Sequence, residues 1–259
     1  DFENNMPASV KRYHSNGQVR RINAYQSFSK DGLQQEFDKN GKLSFEVHYT
    51  AGKRDWMKAY YWTKNTLRKH TVFSEDGPIV KAYFPDGTPA LEKTSDKKVE
   101  WFSNGAVKSY LSKDTSYSEI PVGRIETFHE SGRLKSFYTF SQQGILDGPY
   151  QIFYKSGKQW EQGNYKAGKK EGNMKKWYTN GQLAEDHQLT GGKIEGPFVR
   201  YYDNGQLWKS FNYTNGQLNG AYKKWWKNGQ LAFDCTYQNN RAKQCKKWND
   251  EGQLIEPKT

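Results

Sequence analysis

Two cysteines, Cys235 and Cys245, are the residues of this chain whose type and spacing favour covalent chemistry. They flank a predicted hairpin loop, at positions that face each other if the loop closes a hairpin. In an oxidising compartment such a pair forms a disulfide, and we predict one here. Two unrelated free thiols are the alternative. A disulfide would close the last hairpin and indicate an exported protein.

The other reactive residue types are dispersed, which argues against catalysis. Of the five histidines, His14 and His129 stand at equivalent places in an internal repeat and are predicted to be strand-surface residues. The neighbouring carboxylates Glu185 and Asp186 would point to opposite faces of a strand. The sequence contains none of the spacings typical of metal sites, phosphate-binding loops or nucleophile elbows. We therefore predict no enzyme, no metal site and no cofactor.

The elements that must position any functional residue are copies of one short repeat. Eleven times an aromatic residue comes four residues before a turn position, and nine times an aliphatic residue follows that turn position by two. A period of about 24 residues is typical of a stacked array of identical units. The turn positions, called turn glycines below, are Gly17, Gly41, Asn65, Gly87, Gly105, Gly132, Gly157, Gly181, Gly205, Gly229 and Gly252.

Each repeat carries two turn signals, which predict a β-hairpin. The first is Asn-Gly or a relative, as at Asn180-Gly181, and the second is a looser loop with two glycines four residues apart, as at Gly168 and Gly172. The runs between the turns have the length of strands. We predict an all-β fold, a repeat array of about eleven β-hairpins that forms one elongated, curved and twisted antiparallel sheet.

The constant positions also predict the hairpin register. A three-residue loop with its glycine in the left-handed conformation pairs Tyr201 with Leu207 around Gly205, and the other copies likewise. We expect these pairs to lie on one face with the aromatic residue eight positions after the glycine, such as Tyr213. This face is the predicted core stripe.

A second set of rings stands three residues before or after the turn glycine. Because side chains alternate along a strand, these rings are predicted to lie on the face opposite the core stripe. One interpretation is a structural ladder of cross-strand pairs, and the other is an exposed binding strip. Our predicted partner-binding residues come from this set and are Trp62, Phe84, Phe102, Tyr154, Trp160, Tyr178, Tyr202, Trp208 and Trp226.

The array is predicted to be a single repeat domain over residues 1–259. Residues 123–259 hold regular repeats of about 24 residues, whereas residues 1–122 are irregular and include an insertion at 111–122. No linker interrupts the pattern. We expect the irregular segments and the second set of rings to carry specific contacts.

Composition limits the partner classes. The hydrophobic fraction is only 34%, but aromatic residues make up 16% of the chain and can build a thin core. The net charge of +12 is typical either of a solvated surface or of a protein with an anionic partner. Basic residues are interspersed with acidic ones, so we predict an acidic protein or a phospholipid surface and no nucleic acid.

The phrase aromatic-x-x-Asn-Gly-Gln-Leu, followed by Tyr-x-x-Gly-x-x-x-Gly, resembles the bacterial variant of the MORN repeat. The resemblance covers nearly the whole chain and is most specific from Gly123 to Gly252. The chain is similar to the family of YwqK-type antitoxins and toxin-immunity proteins. The resemblance implies a chain of β-hairpins, and a protein that binds and neutralises a toxin.

These observations lead to three functional hypotheses. The first is an immunity module that occludes the active site of a secreted antibacterial toxin, such as an acidic protein, a lipase or another type VI secretion effector that targets the cell envelope. The second is a peripheral membrane module that binds anionic phospholipid, and the third is a periplasmic scaffold. The start at Asp1 and the cysteine pair predict a periplasmic protein whose signal has been removed. A cytoplasmic location is the alternative.

Overall fold

The structure is a computed structural model that describes residues 2–3, 6–61, 66–112 and 122–255. Trp62, the turn position Asn65 and most of the predicted insertion lie outside these ranges. All regular elements in the described part of the chain are strands. No helix in that part is long and apolar enough to cross a membrane.

The chain divides into two compact units. The N-terminal unit comprises Asp1–Glu119 with Glu130–Gly132, and the C-terminal unit comprises Ile120–His129 with Arg133–Thr259. The single repeat domain stays a prediction.

In the N-terminal unit, β1 pairs with β2, and β3 to β13 form antiparallel pairs in chain order, with the short β5 beside β4. The strands are β1 (Phe2–Glu3), β2 (Met6–Pro7), β3 (Ser9–Tyr13), β4 (Val19–Gln26), β5 (Ser29–Lys30), β6 (Gly32–Phe37), β7 (Leu43–Thr50), β8 (Lys53–Tyr60), β9 (Leu67–Val72), β10 (Ile79–Tyr83), β11 (Pro89–Lys93), β12 (Lys97–Trp101) and β13 (Val107–Ser112).

In the C-terminal unit, β14 to β26 also pair antiparallel in chain order, and β21 pairs with both β22 and β23. The predicted all-β fold of antiparallel hairpin repeats is confirmed. The strands are β14 (Gly123–Phe128), β15 (Leu134–Phe140), β16 (Gly148–Phe153), β17 (Gln159–Lys166), β18 (Lys169–Trp177), β19 (Leu183–Thr190), β20 (Lys193–Tyr201), β21 (Leu207–Thr214), β22 (Gln217–Leu218), β23 (Gly220–Trp225), β24 (Leu231–Gln238), β25 (Arg241–Trp248) and β26 (Leu254–Ile255).

The turn at Gly181 has the predicted register. Trp177 pairs with Leu183, the N–H of Tyr178 donates to the carbonyl of Gln182 at 2.9 Å, and the N–H of Gly181 donates back to the carbonyl of Tyr178. Gly181 has φ of 96°, in the left-handed region where glycine is favoured. The loop is a tight turn closed by a left-handed glycine.

The asparagine before the turn glycine both shapes its own turn and links it to the next. The Oδ1 of Asn180 accepts the N–H of Gln182 at 2.9 Å, and its Nδ2 donates to the carbonyl of Asp203 in the following hairpin at 2.6 Å. An aspartate can accept the first bond, as Asp86 does from the N–H of Thr88, but it has no amide hydrogen for the second. The same link joins Asn16 to Lys39, Asn104 to Glu130, Asn204 to Lys227 and Asn228 to Asp250.

The second turn is tighter than the looser loop that we predicted. Ala167 and Gly168 alone separate the paired residues Lys166 and Lys169, and both have positive φ, of 48° and 80°. Two successive left-handed residues define the two-residue hairpin that matches the twist of the strands. The second glycine, Gly172, lies within β18 where its pairing with β17 becomes irregular.

A β-bulge beside each turn changes the face on which the later residues lie. In β18 and β19, Trp177 pairs with Leu183 but Lys176 pairs with Glu185, so Ala184 has no partner. Since side chains alternate along a strand, Lys176 and Glu185 lie on one face, and Trp177 and Leu183 lie on the other.

The buried side chains of β18 and β19 lie on the same face as Glu185. Met174, His187 and Leu189 are all buried and share the parity of Lys176 or Glu185. We call this side the core face. The predicted core stripe is therefore wrong, because the bulge places the aromatic–aliphatic pair on the opposite face from the residue eight positions after the glycine.

The residues seven before and six after the turn glycine form much of the core of the C-terminal unit, and Leu189, eight after, joins them. The residues seven before and six after are direct partners across each hairpin, as in the pairs Tyr150–Gly163, Met174–His187, Phe198–Phe211 and Tyr222–Cys235. The matching places in the first two hairpins of the N-terminal unit pair a polar with an apolar residue, Asn23 with Val10 and Gln34 with Val47, and Asn23, Gln34 and Val47 are buried. The irregular half of the array thus has a more polar core face.

Candidate functional site

A row of stacked rings crosses the core face of the C-terminal unit. Ring centres lie 4.8 Å apart between His187 and Phe198, 4.5 Å between Phe198 and Phe211, and 5.2 Å between Phe211 and Tyr222, with all three pairs stacked. Phe233 extends the row by an edge contact with Tyr222 at 5.8 Å. We call these five residues the ring ladder. Each ring packs against rings of the neighbouring strands, so the ladder is rigid before any partner binds.

A row of charged side chains runs beside the ring ladder. Glu185 is 5% exposed and binds the guanidinium of Arg200, while the Nζ of Lys176 lies 3.4 Å from its Oε1. Lys209 and Lys224 continue the row on the following strands. Among the residues that the structure describes, neither of these two lysines has a carboxylate within ion-pair distance. We call these five residues the charged row.

The two lysines without a carboxylate lie over aromatic rings instead. The Nζ of Lys209 is 4.8 Å from the ring centre of Trp208 and 5.6 Å from that of Phe211, and the Nζ of Lys224 is 5.5 Å from that of Tyr222. Burial, followed by repulsion from Arg200 and Lys224, lowers the pKa of Lys209. The charged row therefore has an excess of positive charge that an anionic partner would neutralise.

His187 joins the ring ladder to the charged row. Its imidazole is buried, and its Nδ1 has no hydrogen-bond partner. The Oε1 of Glu185 lies 3.4 Å from that nitrogen but does not have the geometry of a hydrogen bond. Burial lowers the pKa of His187, although Glu185 acts in the opposite direction. The neutral ring is thus favoured, and it serves as one rung of the ladder.

A polar triad closes the other end of this surface. The hydroxyl of Tyr150 donates to the Oε1 of Glu161 at 2.6 Å, and the Nζ of Lys170 donates to the same oxygen at 2.8 Å. Burial, followed by the bond to Glu161, raises the pKa of Tyr150. Burial alone would raise the pKa of Glu161, but the bonds from Lys170 and Tyr150 outweigh it and lower that pKa. The carboxylate is therefore held ionised in a half-apolar setting.

Members of all three groups line an open groove with a volume of about 640 Å³ on the core face, namely His187, Phe198 and Phe211 of the ring ladder, Lys176, Glu185, Arg200 and Lys209 of the charged row, and Lys170 of the triad. Its floor is apolar and aromatic, and its rim carries more cations than anions, since Glu185 faces Lys169, Lys170, Lys176, Arg200 and Lys209. Such a surface can bind an anionic, partly apolar ligand. Within the described ranges, no group of three or more histidine, cysteine or acidic side chains could hold a metal ion.

In the C-terminal unit, the predicted rings that precede the turn glycine by three lie on this core face, since they are an even number of residues from Lys176 or its equivalent in their strands. The hydroxyls of Tyr154, Tyr178 and Tyr202 donate to the carbonyls of Trp177, Tyr201 and Trp225 at 2.7, 2.7 and 2.9 Å. Trp226 forms the same kind of bond through Nε1 to Trp248, and His14 and His129 through Nε2 to Phe37 and Phe153. The polar ends of these side chains therefore join successive repeats.

The predicted rings that follow the turn glycine by three are the unpaired residues of the bulges. Trp160 contacts the ring of Tyr154 at 6.0 Å, and Trp208 contacts the ring of Tyr202 at 5.7 Å. Among the predicted rings that the structure describes, Trp160 and Trp226 are the most exposed, at 43% and 39%.

The structure thus collects the predicted rings of the C-terminal unit on one face. Phe84 and Phe102 belong to the N-terminal unit and are half-buried there. Trp62 lies outside the described residues. The role of all these rings in binding a partner stays a prediction.

Cys235 and Cys245 are joined by a disulfide. They are direct partners in the pairing of β24 with β25, which is the arrangement that the hairpin prediction requires. Cys235 is also the partner of Tyr222, six residues after its turn glycine, and is buried in the core face. The disulfide thus links β24 to β25 beside the end of the ring ladder.

Sequence reasoning missed the ring ladder and the charged row. The signal was present, because Tyr150, Phe198 and Tyr222 recur seven residues before successive turn glycines, with Met174 at the same place in the repeat between. It was obscured because the bulge breaks the simple alternation on which the face assignment rested. Lys209 and Lys224 could not be separated from the other lysines by sequence, since their lack of a carboxylate is a property of the packed face.

Comparison with known families identifies the repeat. Five segments match the family model described as the MORN repeat variant, namely residues 30–51, 146–167, 170–188, 194–217 and 218–239. Segments of both units therefore resemble this repeat variant. MORN repeats form a binding-type module that contacts proteins or membranes.

Comparisons with individual proteins add no functional information. No functionally curated protein matches the chain. Among solved structures, it is similar to the crystal structure of TcdB2-TccC3, with 10% identity, a TM-score of 0.22, and coverage of 92% of this chain and 15% of that one. It is also similar to ASR alternansucrase in complex with isomaltononaose, with 14% identity, a TM-score of 0.22, and coverage of 87% and 16%. The chain spans only these small parts of both proteins.

Proposed function

We propose that this chain is a protein-binding module that docks an acidic partner on the core face of its C-terminal unit. The observation that carries the proposal is the excess of cations beside a rigid apolar floor. Lys209 and Lys224 lie over aromatic rings without a carboxylate, next to the ring ladder. A partner that brings carboxylates would pair with both lysines while its apolar atoms cover the rings.

The rigidity of this face favours tight binding. The ring ladder is packed ring against ring, and each repeat is hydrogen-bonded to the next through Tyr178 or an equivalent residue. Side chains that are already ordered lose little conformational entropy when a partner docks. Aromatic residues and Arg200 are also the residue types that most often dominate binding energy at protein interfaces.

In its most specific form, the proposal is an immunity protein that covers the active site of a secreted antibacterial toxin. Support comes from the resemblance of the repeats to those of toxin-immunity proteins, and from the cationic groove. The disulfide between Cys235 and Cys245 favours an oxidising compartment, so we propose that the protein acts in the periplasm. The toxin would be acidic on the surface that it presents to the groove.

Co-expression in bacteria tests this proposal. The product of the gene next to this one is directed to the periplasm, alone and with this chain, and growth and co-purification are measured. We expect growth arrest by the neighbour alone, rescue by the wild-type chain, and recovery of the two proteins as one complex. The double variant Lys209→Glu and Lys224→Glu should lose rescue, because it places like charges against an acidic surface.

Variants on the opposite face are the matched control. Lys175 and Lys223 pair there with Asp186 and Asp234, so that Lys175→Glu with Lys223→Glu gives the same change in net charge away from the groove. This control should retain rescue. A neighbour that is harmless, or that does not co-purify, contradicts the immunity role. Binding of the chain to anionic vesicles that collapses in salt, without any protein complex, would favour the membrane hypothesis instead.

A further inference from the structure

One position of the C-terminal unit alternates between tryptophan and alanine. The unpaired bulge residues in four successive hairpins are Trp160, Ala184, Trp208 and Ala232. The same backbone setting therefore accepts a large ring in two repeats and holds only a methyl group in the other two. At Ala184 a large side chain is missing between two tryptophans.

The missing ring leaves a hollow of about 210 Å³ on the core face. Trp160 and Trp208 line the hollow, together with Tyr154, Trp177, Tyr178 and Ala184. Tyr178 is fixed in place, because its hydroxyl donates to the carbonyl of Tyr201 at 2.7 Å. The volume lies below the roughly 300 Å³ at which small-molecule sites begin, and suits a single large side chain.

The hollow borders the charged row. Lys176, Glu185 and Arg200 line both the hollow and the groove, so the two cavities share one wall. Glu185 is already bound by Arg200 and approached by Lys176, while Lys209 over the ring of Trp208 has no carboxylate of its own. A ligand that reaches the hollow from the groove therefore passes along a wall with excess positive charge.

We infer that the hollow at Ala184 is an anchor pocket for one aromatic side chain of an acidic protein segment. The ring stacks or packs edge-on against Trp160 and Trp208, and carboxylates on either side of it pair with Lys209 and Arg200. The inference rests on the proposed protein-binding function and adds the class of segment that is bound. An aromatic side chain seated in a walled pocket beside fixed charges is the usual form of an interface hot spot.

A defined peptide tests the pocket without knowledge of the natural partner. The probe is the synthetic peptide acetyl-Glu-Asp-Trp-Glu-Asp-Gly-amide, with its Trp→Ala version for comparison, titrated into labelled full-length chain. We expect saturable shifts in the NMR signals of the Ala184 methyl group and of the indole N–H groups of Trp160 and Trp208. The Trp→Ala peptide should bind at least about tenfold more weakly.

The variant Ala184→Trp fills the hollow from within. It should fold, because Trp160 and Trp208 occupy the same bulge position, and it should reduce affinity for the Trp peptide by about tenfold or more. Ala232→Trp makes the same substitution two repeats further along the chain and should leave the affinity for the Trp peptide unchanged. Equal loss in both variants, equal binding by Ala184→Trp, or shifts that avoid the hollow would overturn the inference.

The pocket and the immunity role fail in different ways. If the peptide binds as expected but co-expression gives no rescue, the immunity role is wrong and the pocket stands. If rescue is observed and Ala184→Trp rescues as well as the wild type, the docking face stands and the anchor pocket is wrong.

Discussion

Gly163 is a glycine of the core face with no room for a side chain, and its replacement by alanine gives a quantitative test. Gly163 is the cross-strand partner of Tyr150. A Cβ at this position would lie 2.1 Å from the Sδ of Met174 and 3.0 Å from the Cε1 of Tyr150. Both neighbours are among the most deeply buried side chains of the protein, so neither can move away freely.

Two opposing effects decide whether Gly163→Ala raises or lowers the free energy of unfolding. Alanine restricts the unfolded chain and would stabilise the protein by about 0.4–1 kcal/mol. Overpacking a tight core costs about 1–3 kcal/mol. Because the contact with Met174 is far inside the normal range, we expect the cost to prevail and the free energy of unfolding to fall by about 1–2 kcal/mol.

Urea unfolding followed by tryptophan fluorescence measures this change. A loss of that size should lower the urea midpoint by about 0.5–1 M at an unchanged slope. The variant Met174→Ala removes the nearest atom, so the same Gly163→Ala step should cost less in that background. A midpoint that rises in Gly163→Ala, or an equal cost in both backgrounds, would refute this description of the core.

Three further predictions concern single contacts of the C-terminal unit. The folded-state pKa of His187 lies below its ordinary value of 6.5, so the unfolded chain takes up the proton first as the pH falls. The free energy of unfolding should be full above about pH 6.5 and decline below it, and urea midpoints for His187→Phe should lack this decline. Tyr202→Phe removes the hydrogen bond to the carbonyl of Trp225 and should lower the free energy of unfolding by about 1 kcal/mol. A urea midpoint equal to that of the wild type would contradict this prediction. Under non-reducing conditions the mass should be lighter by the two thiol hydrogens of Cys235 and Cys245, and reduction should cost at most about 3 kcal/mol; complete alkylation of both thiols without reduction would contradict the disulfide.

Local sequence signals predicted the hairpins well because they act over a few residues. An Asn-Gly pair specifies its turn through a left-handed glycine and a side chain that bonds both within the turn and to the next hairpin, as Asn180 does. The cross-strand pairing of Trp177 with Leu183 follows directly from that turn. Such features need no knowledge of the packed sheet.

The assignment of faces failed because it depends on one residue that has no partner. Ala184 occupies the bulge and shifts the phase of every later residue in β19, so that Glu185 and His187 lie on the buried side. A sequence without an alignment gives the period of the repeat but not the place of this bulge. The charge balance at Lys209 was equally inaccessible, since it depends on which carboxylates other lysines have already bound.

The central claim is that the core face of the C-terminal unit, and not its opposite face, binds an acidic protein. Lys223 and Lys224 are neighbours in β23 and point to opposite faces, Lys223 toward Asp234 and Lys224 over Tyr222. The most direct test measures the dissociation constant of the co-purified partner for Lys224→Glu and for Lys223→Glu by titration calorimetry at equal ionic strength. We predict about tenfold or more weakening for Lys224→Glu and near wild-type affinity for Lys223→Glu. Equal effects in both variants, or a larger effect of Lys223→Glu, would contradict the claim.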